Sequence, residues 1–310
     1  MTPSSASGGS RLAAAAGISC YSIWGLAPLC FQLAGRLGAS PWEILAHRSL
    51  WGAPAALAFV LAASGGRQAL AVLRERRTLA WLALAAALIG VNWSVFIWAV
   101  NSGRVLETSL GYYVLPLINM ATGWALFRER LDRAAWIAIG LAAAGVALQT
   151  FALGRLPVVS LALAVSFGAY AVVKKRVSVP AHTGLLVECA LLAVPSAVFV
   201  AWLEARGLGH FGRAPALTAV LVACGPITAV PLMLFAWAAR RLPLSAMGFL
   251  QFIAPTMTFA IGVMQGEPFS ALRGASFALI WAGVAVFALA ALRRGRPEPA
   301  IVAAVKAAAE

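Results

Sequence analysis

Charge is scarce in this chain. Charged residues make up 11% of it, and Asp plus Glu number only 10, whereas an ordinary soluble domain carries roughly 25% charged residues. So little charge cannot cover a water-facing surface, which excludes a soluble globular protein. Histidines number 3 and cysteines 4. His47, His182 and His210 are dispersed, while Cys20, Cys30, Cys189 and Cys224 lie in apolar segments without CxxC or other metal spacing, so no metal site is expected and the cysteines read as small buried residues. HExxH, GxxxxGK[ST] and GxSxG are also missing. Their absence argues against ATP-driven work and leaves no catalytic residue or cofactor to expect.

Apolar residues are abundant, at 62% of the chain, with a mean hydropathy of +0.88. Crossing a bilayer takes roughly 17–25 residues of helix. Ten stretches of that kind occur, at 12–34, 41–63, 78–101, 104–127, 134–153, 156–173, 184–204, 217–239, 243–265 and 272–292. They are continuous rather than alternating in polarity, which predicts helices and not a barrel. The expected fold class is an all-α integral membrane protein with ten transmembrane helices.

The net charge of +14 raises nucleic acid as a partner, but its distribution follows topology instead. With both termini cytoplasmic, the basic groups Arg67, Arg74, Arg76 and Arg77, then Arg128, Arg130 and Arg133, then Lys174, Lys175 and Arg176 all fall on the inner side, and so do Arg240, Arg241, Arg293 and Arg294. Outer segments hold single arginines such as Arg36, Arg104 and Arg155. That asymmetry is the positive-inside rule. The expected partners are therefore a lipid bilayer and no nucleic acid. The first apolar run continues through Tyr21, Trp24 and Phe31, too long for a signal-peptide core, and reads as an uncleaved span. Residues 1–11 and 293–310 read as disordered N-terminal and cytoplasmic C-terminal tails.

The two halves of the chain resemble each other. Glu129 and Glu267 each follow a mid-segment proline, Pro116 and Pro255, and Phe96-Ile97-Trp98-Ala99 matches Phe235-Ala236-Trp237-Ala238 at an offset of 139. Trp42-Glu43-Ile44-Leu45-Ala46 lies over Val187-Glu188-Cys189-Ala190-Leu191. Two repeats are expected, at 12–153 and 156–292. Five spans in each is an odd number, which forces the second copy to enter from the opposite side, so the repeats are inverted. Inverted repeats are the usual basis of alternating access. Pro116 and Pro255 free carbonyls at matching places and are candidate hinges, though neighbouring helices also tolerate such prolines.

Polar groups inside the spans are few, and charges there usually face a cavity or a partner. Glu43 and His47 are four apart on one helix face, within reach of an ion pair or a shared proton. Glu43 also sits in the first turn after Ser40-Pro41, where a carboxylate simply suits the helix dipole. Glu188 is its repeat counterpart. Arg48 lies deeper, and either Glu107 neutralises it or it meets an anionic group of a substrate. Asn92, Asn101, Asn119 and Gln251 supply neutral hydrogen-bonding groups, and Tyr21, Trp24, Trp98, Tyr112 and Trp237 supply aromatic walls. Together they form a candidate substrate and proton pathway; singly, each also serves as packing or as an interface anchor. The small-residue run Gly140 to Gly145 packs either within the fold or against a second chain, so a homodimer is open.

Five segments carry a family resemblance: Tyr21-Ser22-Ile23-Trp24-Gly25-Leu26-Ala27-Pro28, Glu43 through Trp51, Asn92 through Asn101, Ser109-Leu110-Gly111-Tyr112-Tyr113, and Gly248 through Pro255. In these the chain resembles the RarD branch of the EamA family, in the drug/metabolite transporter superfamily. The resemblance implies two EamA repeats in a bacterial inner membrane, a cavity lined by spans one to four and six to nine, spans five and ten as outer support, and export or exchange of small organic solutes. The expected function is secondary active transport by alternating access, with protons as a candidate coupling ion. A channel or facilitator is the rival within transport, and a membrane-embedded enzyme or scaffold the rival outside it.

Overall fold

The computed structural model describes the backbone of residues 4–128, 131–174, 176–242, 247 and 250–294, with side chains from Leu12 to Ala290 apart from Phe127. Glu129 of the repeat match, Gly248 and Phe249 of the family segment, and the tail beyond residue 294 lie outside the described residues. The described residues are helical, with no strand among them: α1 (Ser4–Arg36), α2 (Pro41–Ala62), α3 (Gly66–Arg74), α4 (Arg76–Asn101), α5 (Val105–Phe127), α6 (Arg133–Leu153), α7 (Val158–Lys174), α8 (Ala181–Ala205), α9 (Pro215–Ala239), α10 (Ile253–Met264) and α11 (Ala271–Arg294).

Local chemistry sets several ends. Ser40 caps α2, its Oγ accepting from the Glu43 N–H at 3.1 Å, with Pro41 at the first helical position, where its missing N–H costs nothing. Asp132 caps α6 by accepting from the Ala135 N–H at 2.8 Å, and Gly154, at φ +62°, ends it, a left-handed stop that glycine adopts without steric cost. Three features differ from the sequence reading. Helix α1 begins at Ser4, inside the segment expected as a tail. A short amphipathic α3 intervenes between α2 and α4. The stretch expected as span nine turns at Gln251 and Phe252 before α10 starts. Pro255 explains that break, since it has no N–H for the Gln251 carbonyl and its ring crowds that residue. Pro116, by contrast, sits inside an uninterrupted α5.

Among the described residues seven helices are long and apolar enough to cross a membrane: α1, α2, α4, α6, α8, α9 and α11. Helices α7 and α10 are apolar but shorter, and α5 has the length but carries Glu107, Tyr112, Tyr113 and Asn119. Polarity is turned inward. Phe151, Val194, Val198 and Leu126 are among the most exposed side chains, whereas Glu43, His47, Arg48, Asn92, Glu107 and Glu188 are buried. A surface of this kind is stable against lipid and not against water.

Helix α2 runs antiparallel to α8, because Gly52 abuts the Cys189 side chain while Gly65 abuts His182. The main packing partners are α1 with α9, α7 with α4, α2 with both α8 and α9, and α8 also with α4. Helix α5 packs on α7 and α10, and α10 on α1. Helices α6 and α11 pack chiefly on each other. Their approach is close, since a Cβ at Gly145 would stand 2.9 Å from the Ser276 carbonyl oxygen and one at Gly283 2.8 Å from that of Ala138. The small-residue run therefore packs within the fold at Gly145, while Gly140 faces open space.

Candidate functional site

Helix α2 delivers three of the sequence candidates, and the structure sends them to different partners. Glu43, 2% exposed, turns away from His47 and accepts two hydrogen bonds from His210 in the α8–α9 loop: one from the backbone N–H at 2.7 Å and one at the ring Nδ1 at 2.9 Å. His47 stacks on Phe211 of the same loop, with ring centroids 4.8 Å apart, and both of its ring nitrogens lack a partner among the described residues. The Glu43–His47 pair expected from spacing is thus replaced by a clasp in which the loop grips both residues. Gly207 and Gly212, at φ +69° and +78°, let the loop turn sharply enough to present His210 and Phe211 to α2.

Arg48 occupies the centre. Its Nε donates to Thr228 Oγ1 on α9 at 2.9 Å, and its guanidinium lies 4.0 Å from the ring centroid of Trp93 on α4 and 5.3 Å from that of Phe31 on α1. Four helices therefore meet at one cation. Glu107, one of its two expected counterparts, is engaged elsewhere: Arg155 donates to its Oε1 at 2.9 Å, and Arg104 lies 3.8 Å from the same atom. Among the described residues no carboxylate lies within ion-pair distance of Arg48.

Asn92 is a junction. Its Nδ2 donates to the Leu163 carbonyl and to Ser166 Oγ, both at 3.0 Å, and its Oδ1 accepts from the Tyr112 hydroxyl at 3.1 Å. That ties α4 to α7 and α5 within the wall around Arg48, where Phe96 and Tyr112 pack edge to face at 5.7 Å. Glu188, also 2% exposed, accepts from Lys174 Nζ at 2.7 Å and from the Tyr170 hydroxyl at 3.0 Å. Since α2 and α8 are antiparallel and Gly52 meets Cys189, the Glu188 cluster lies about half-way along α2, displaced from Glu43 towards the other end of that pair.

The remaining candidates lie apart. Tyr21 and Trp24 pack with Phe235 between α1 and α9. Trp98 and Trp237 pair with Arg104 and Arg241 at helix ends. Asn101 donates to its own helix at Ile97 and borders an open cavity of about 410 Å³ with Gln32, Arg36 and Val100. Asn119 keeps a buried Oδ1 without a partner among the described residues. Gln251 sits in the turn before α10, and the Pro255 carbonyl accepts from Ser109 Oγ at 2.8 Å. Among the described residues no group of three His, Cys, Asp or Glu is placed to hold a metal.

Sequence reasoning missed His210, Phe211, Thr228, Trp51 and Lys174. A His-Phe pair in a short glycine-flanked loop was the available signal for the first two. Nothing local marked Thr228, whose role depends on α9 crossing α2.

Comparison with known proteins agrees with this architecture. A model described as the EamA-like transporter family matches residues 11–151. The protein RarD of Escherichia coli (strain K12) is 38% identical over 277 residues, covering 89% of this chain and 93% of its own. A Vibrio cholerae protein named an uncharacterized transporter is 36% identical over 280 residues, covering 90% of this chain and 92% of its own. One solved crystal structure aligns with a TM-score of 0.60 at 22% identity, over 91% of this chain and 98% of its own, a likeness of fold alone.

Proposed function

This chain belongs to the EamA-like transporter family together with the RarD proteins, and from that premise we propose that it is a secondary active transporter that exports or exchanges small organic solutes by alternating access. The observation that carries the reading is an exchange symmetry among the most extensive helix contacts. Let α1, α2, α4, α5 and α6 form one repeat and α7 to α11 the other. The contact of α1 with α9 then has its mate in α7 with α4, α2 with α9 in α8 with α4, and α5 with α7 in α10 with α1. The pairs α2 with α8, α5 with α10 and α6 with α11 are their own mates. Two inverted five-helix repeats, ten spans in all, would account for that pattern, and inverted repeats are the usual basis of alternating access.

In this reading both termini are cytoplasmic and the loop clasp on Glu43 is an outer gate. The Glu188–Lys174–Tyr170 cluster is its inner counterpart, and the turn before Pro255 is a hinge. Glu43 and Glu188 are the groups through which protons would couple to solute movement, because each must exchange its partner for water or a proton when its gate opens. Counterflow in proteoliposomes, with and without a pH gradient, tests the proposal. Saturable counterflow that a gradient drives, and that Glu43→Gln uncouples, is the expected result. Flux that never saturates and shows no counterflow would replace the carrier by a channel.

A further inference from the structure

We infer that the solute is an organic anion, a carboxylate on an apolar or aromatic body, and that Arg48 with Trp51 forms the site that receives it. The inference rests on the transport reading for how the solute arrives, but not for how it binds.

Arg48 is 8% exposed, and a guanidinium carries only donors. One of them, at Nε, is used by Thr228. The terminal nitrogens, the fork that matches a carboxylate edge, meet no acceptor among the described residues. Each of the buried carboxylates is held elsewhere: Glu43 by His210, Glu107 by Arg155 and Glu188 by Lys174. A buried cation that keeps only ring faces and one hydroxyl for company is incompletely compensated. An incoming anion completes it.

A second observation points the same way. Trp51 Nε1, an indole N–H that can only donate, is buried without a partner among the described residues, as are both ring nitrogens of His47. On a helix that turns about 100° per residue, positions 47, 51 and 48 fall within one arc of about 100°. The stretch of α2 at the crossing of α1, α4 and α9 thus presents two donor-only groups, the Arg48 fork and the Trp51 N–H, beside an imidazole that offers one further donor and one acceptor. Buried polar groups are otherwise almost always paired.

The surroundings narrow the class. Trp93 and Phe31 flank the guanidinium, and Phe96 and Tyr112 extend the aromatic wall, which suits an apolar body. A single cation matches a monoanion better than a phosphate dianion. An amino acid would bring an ammonium group, and the nearby acids are already paired, so the zwitterion is disfavoured.

Intrinsic tryptophan fluorescence of the full chain in nanodiscs includes a reporter at the site, because Trp93, one of 11 tryptophans, lies against the guanidinium. The probes are phenylacetate, its neutral amide and phenylalanine. Saturable binding of phenylacetate is expected, with the amide and the zwitterion weaker on the order of a hundredfold. Arg48→Gln should remove the preference and Arg48→Lys restore part of it. Should Arg48→Gln fail to fold, Trp51→Phe keeps an aromatic ring while deleting the unpaired N–H, and a several-fold loss for phenylacetate but not for the amide is expected. Equal binding of acid and amide, preference for phenylalanine, or no binding of phenylacetate by the wild type would each overturn the inference. Counterflow with the same probes separates the two readings. Acid-selective binding without counterflow keeps the site and removes transport; counterflow of neutral solutes alone keeps transport and removes the anion site.

Discussion

Glu43 and His210, 167 residues apart, hold each other through two hydrogen bonds, one from the backbone N–H and one at the imidazole. Because the carboxylate is buried and the loop is not, the pair ties a mobile class of element to a rigid one. Glu43→Gln keeps the shape but loses the charge assistance, a change of about 1–2 kcal/mol, or roughly fivefold to thirtyfold in the opening equilibrium. Hydrogen exchange of the peptide covering residues 206–214 should accelerate by that factor. Unchanged exchange would mean that Phe211, stacked on His47, holds the loop by itself.

Gly145 and Gly140 lie on the same helix and have opposite surroundings. A Cβ at Gly145 would come within 2.6 Å of Ile280 and 2.9 Å of the Ser276 carbonyl oxygen, whereas one at Gly140 meets nothing within 4 Å. Gly145→Ala should therefore lower stability by about 1–3 kcal/mol through overpacking. Gly140→Ala should leave it level or raise it by up to about 1 kcal/mol through helix propensity. Thermal unfolding of the two purified variants in one detergent decides this, and loss of stability in Gly140→Ala would indicate that a second chain covers that face.

The long apolar helices were legible because their signal is local. Helix α2 runs from Pro41 to Ala62, one residue short of the stretch expected from hydropathy, and the Ser40-Pro41 start is written in cap chemistry. Pro255 likewise marked a break that the backbone shows four residues upstream, at the carbonyl it cannot satisfy. Partners were not legible. Spacing put His47 within reach of Glu43, but His210 offers a backbone N–H as well as a ring nitrogen, and only the tertiary fold brings that loop to α2. Arg48 could be read as a charge needing an anion, yet whether Glu107 supplied it depended on where Arg155 fell. The short α3 escaped because it is amphipathic rather than apolar, and so gives no spanning signal.

Glu267 lies outside the membrane helices, between α10 and α11, and accepts hydrogen bonds from the N–H groups of Val105 and Leu106 at the start of α5. Burial pushes its carboxyl above the usual 4.5, with Glu107 adding to the rise; the two N–H groups and Arg273 oppose it without cancelling it. A folded-state pKa above the unfolded one means that the folded chain binds the proton more tightly. The associated stability is complete below about pH 4.5 and is lost as pH rises through the folded value. Wild-type protein should accordingly lose stability on going from mildly acidic to neutral pH by an amount missing in Glu267→Gln. Parallel pH profiles of the two proteins would sink the assignment.

Lys174 and Glu188 make the most consequential pair, because two explanations of it diverge under mutation. Removing one partner of a buried ion pair leaves a lone charge and costs about 3–5 kcal/mol, whereas replacing both by apolar groups is often close to neutral. Lys174→Met should therefore destabilise strongly, and the double variant Lys174→Met with Glu188→Leu should recover most of the loss. If the pair is only structural, the recovered protein will transport at the wild-type rate. If Glu188 is half of an inner gate that must take up a proton or water, the double variant will be stable and bind solute yet fail in gradient-driven counterflow. Stability and coupling measured on the same double variant thus separate packing from function at the cluster whose carboxylate matches Glu43 in the alignment of 42–46 with 187–191.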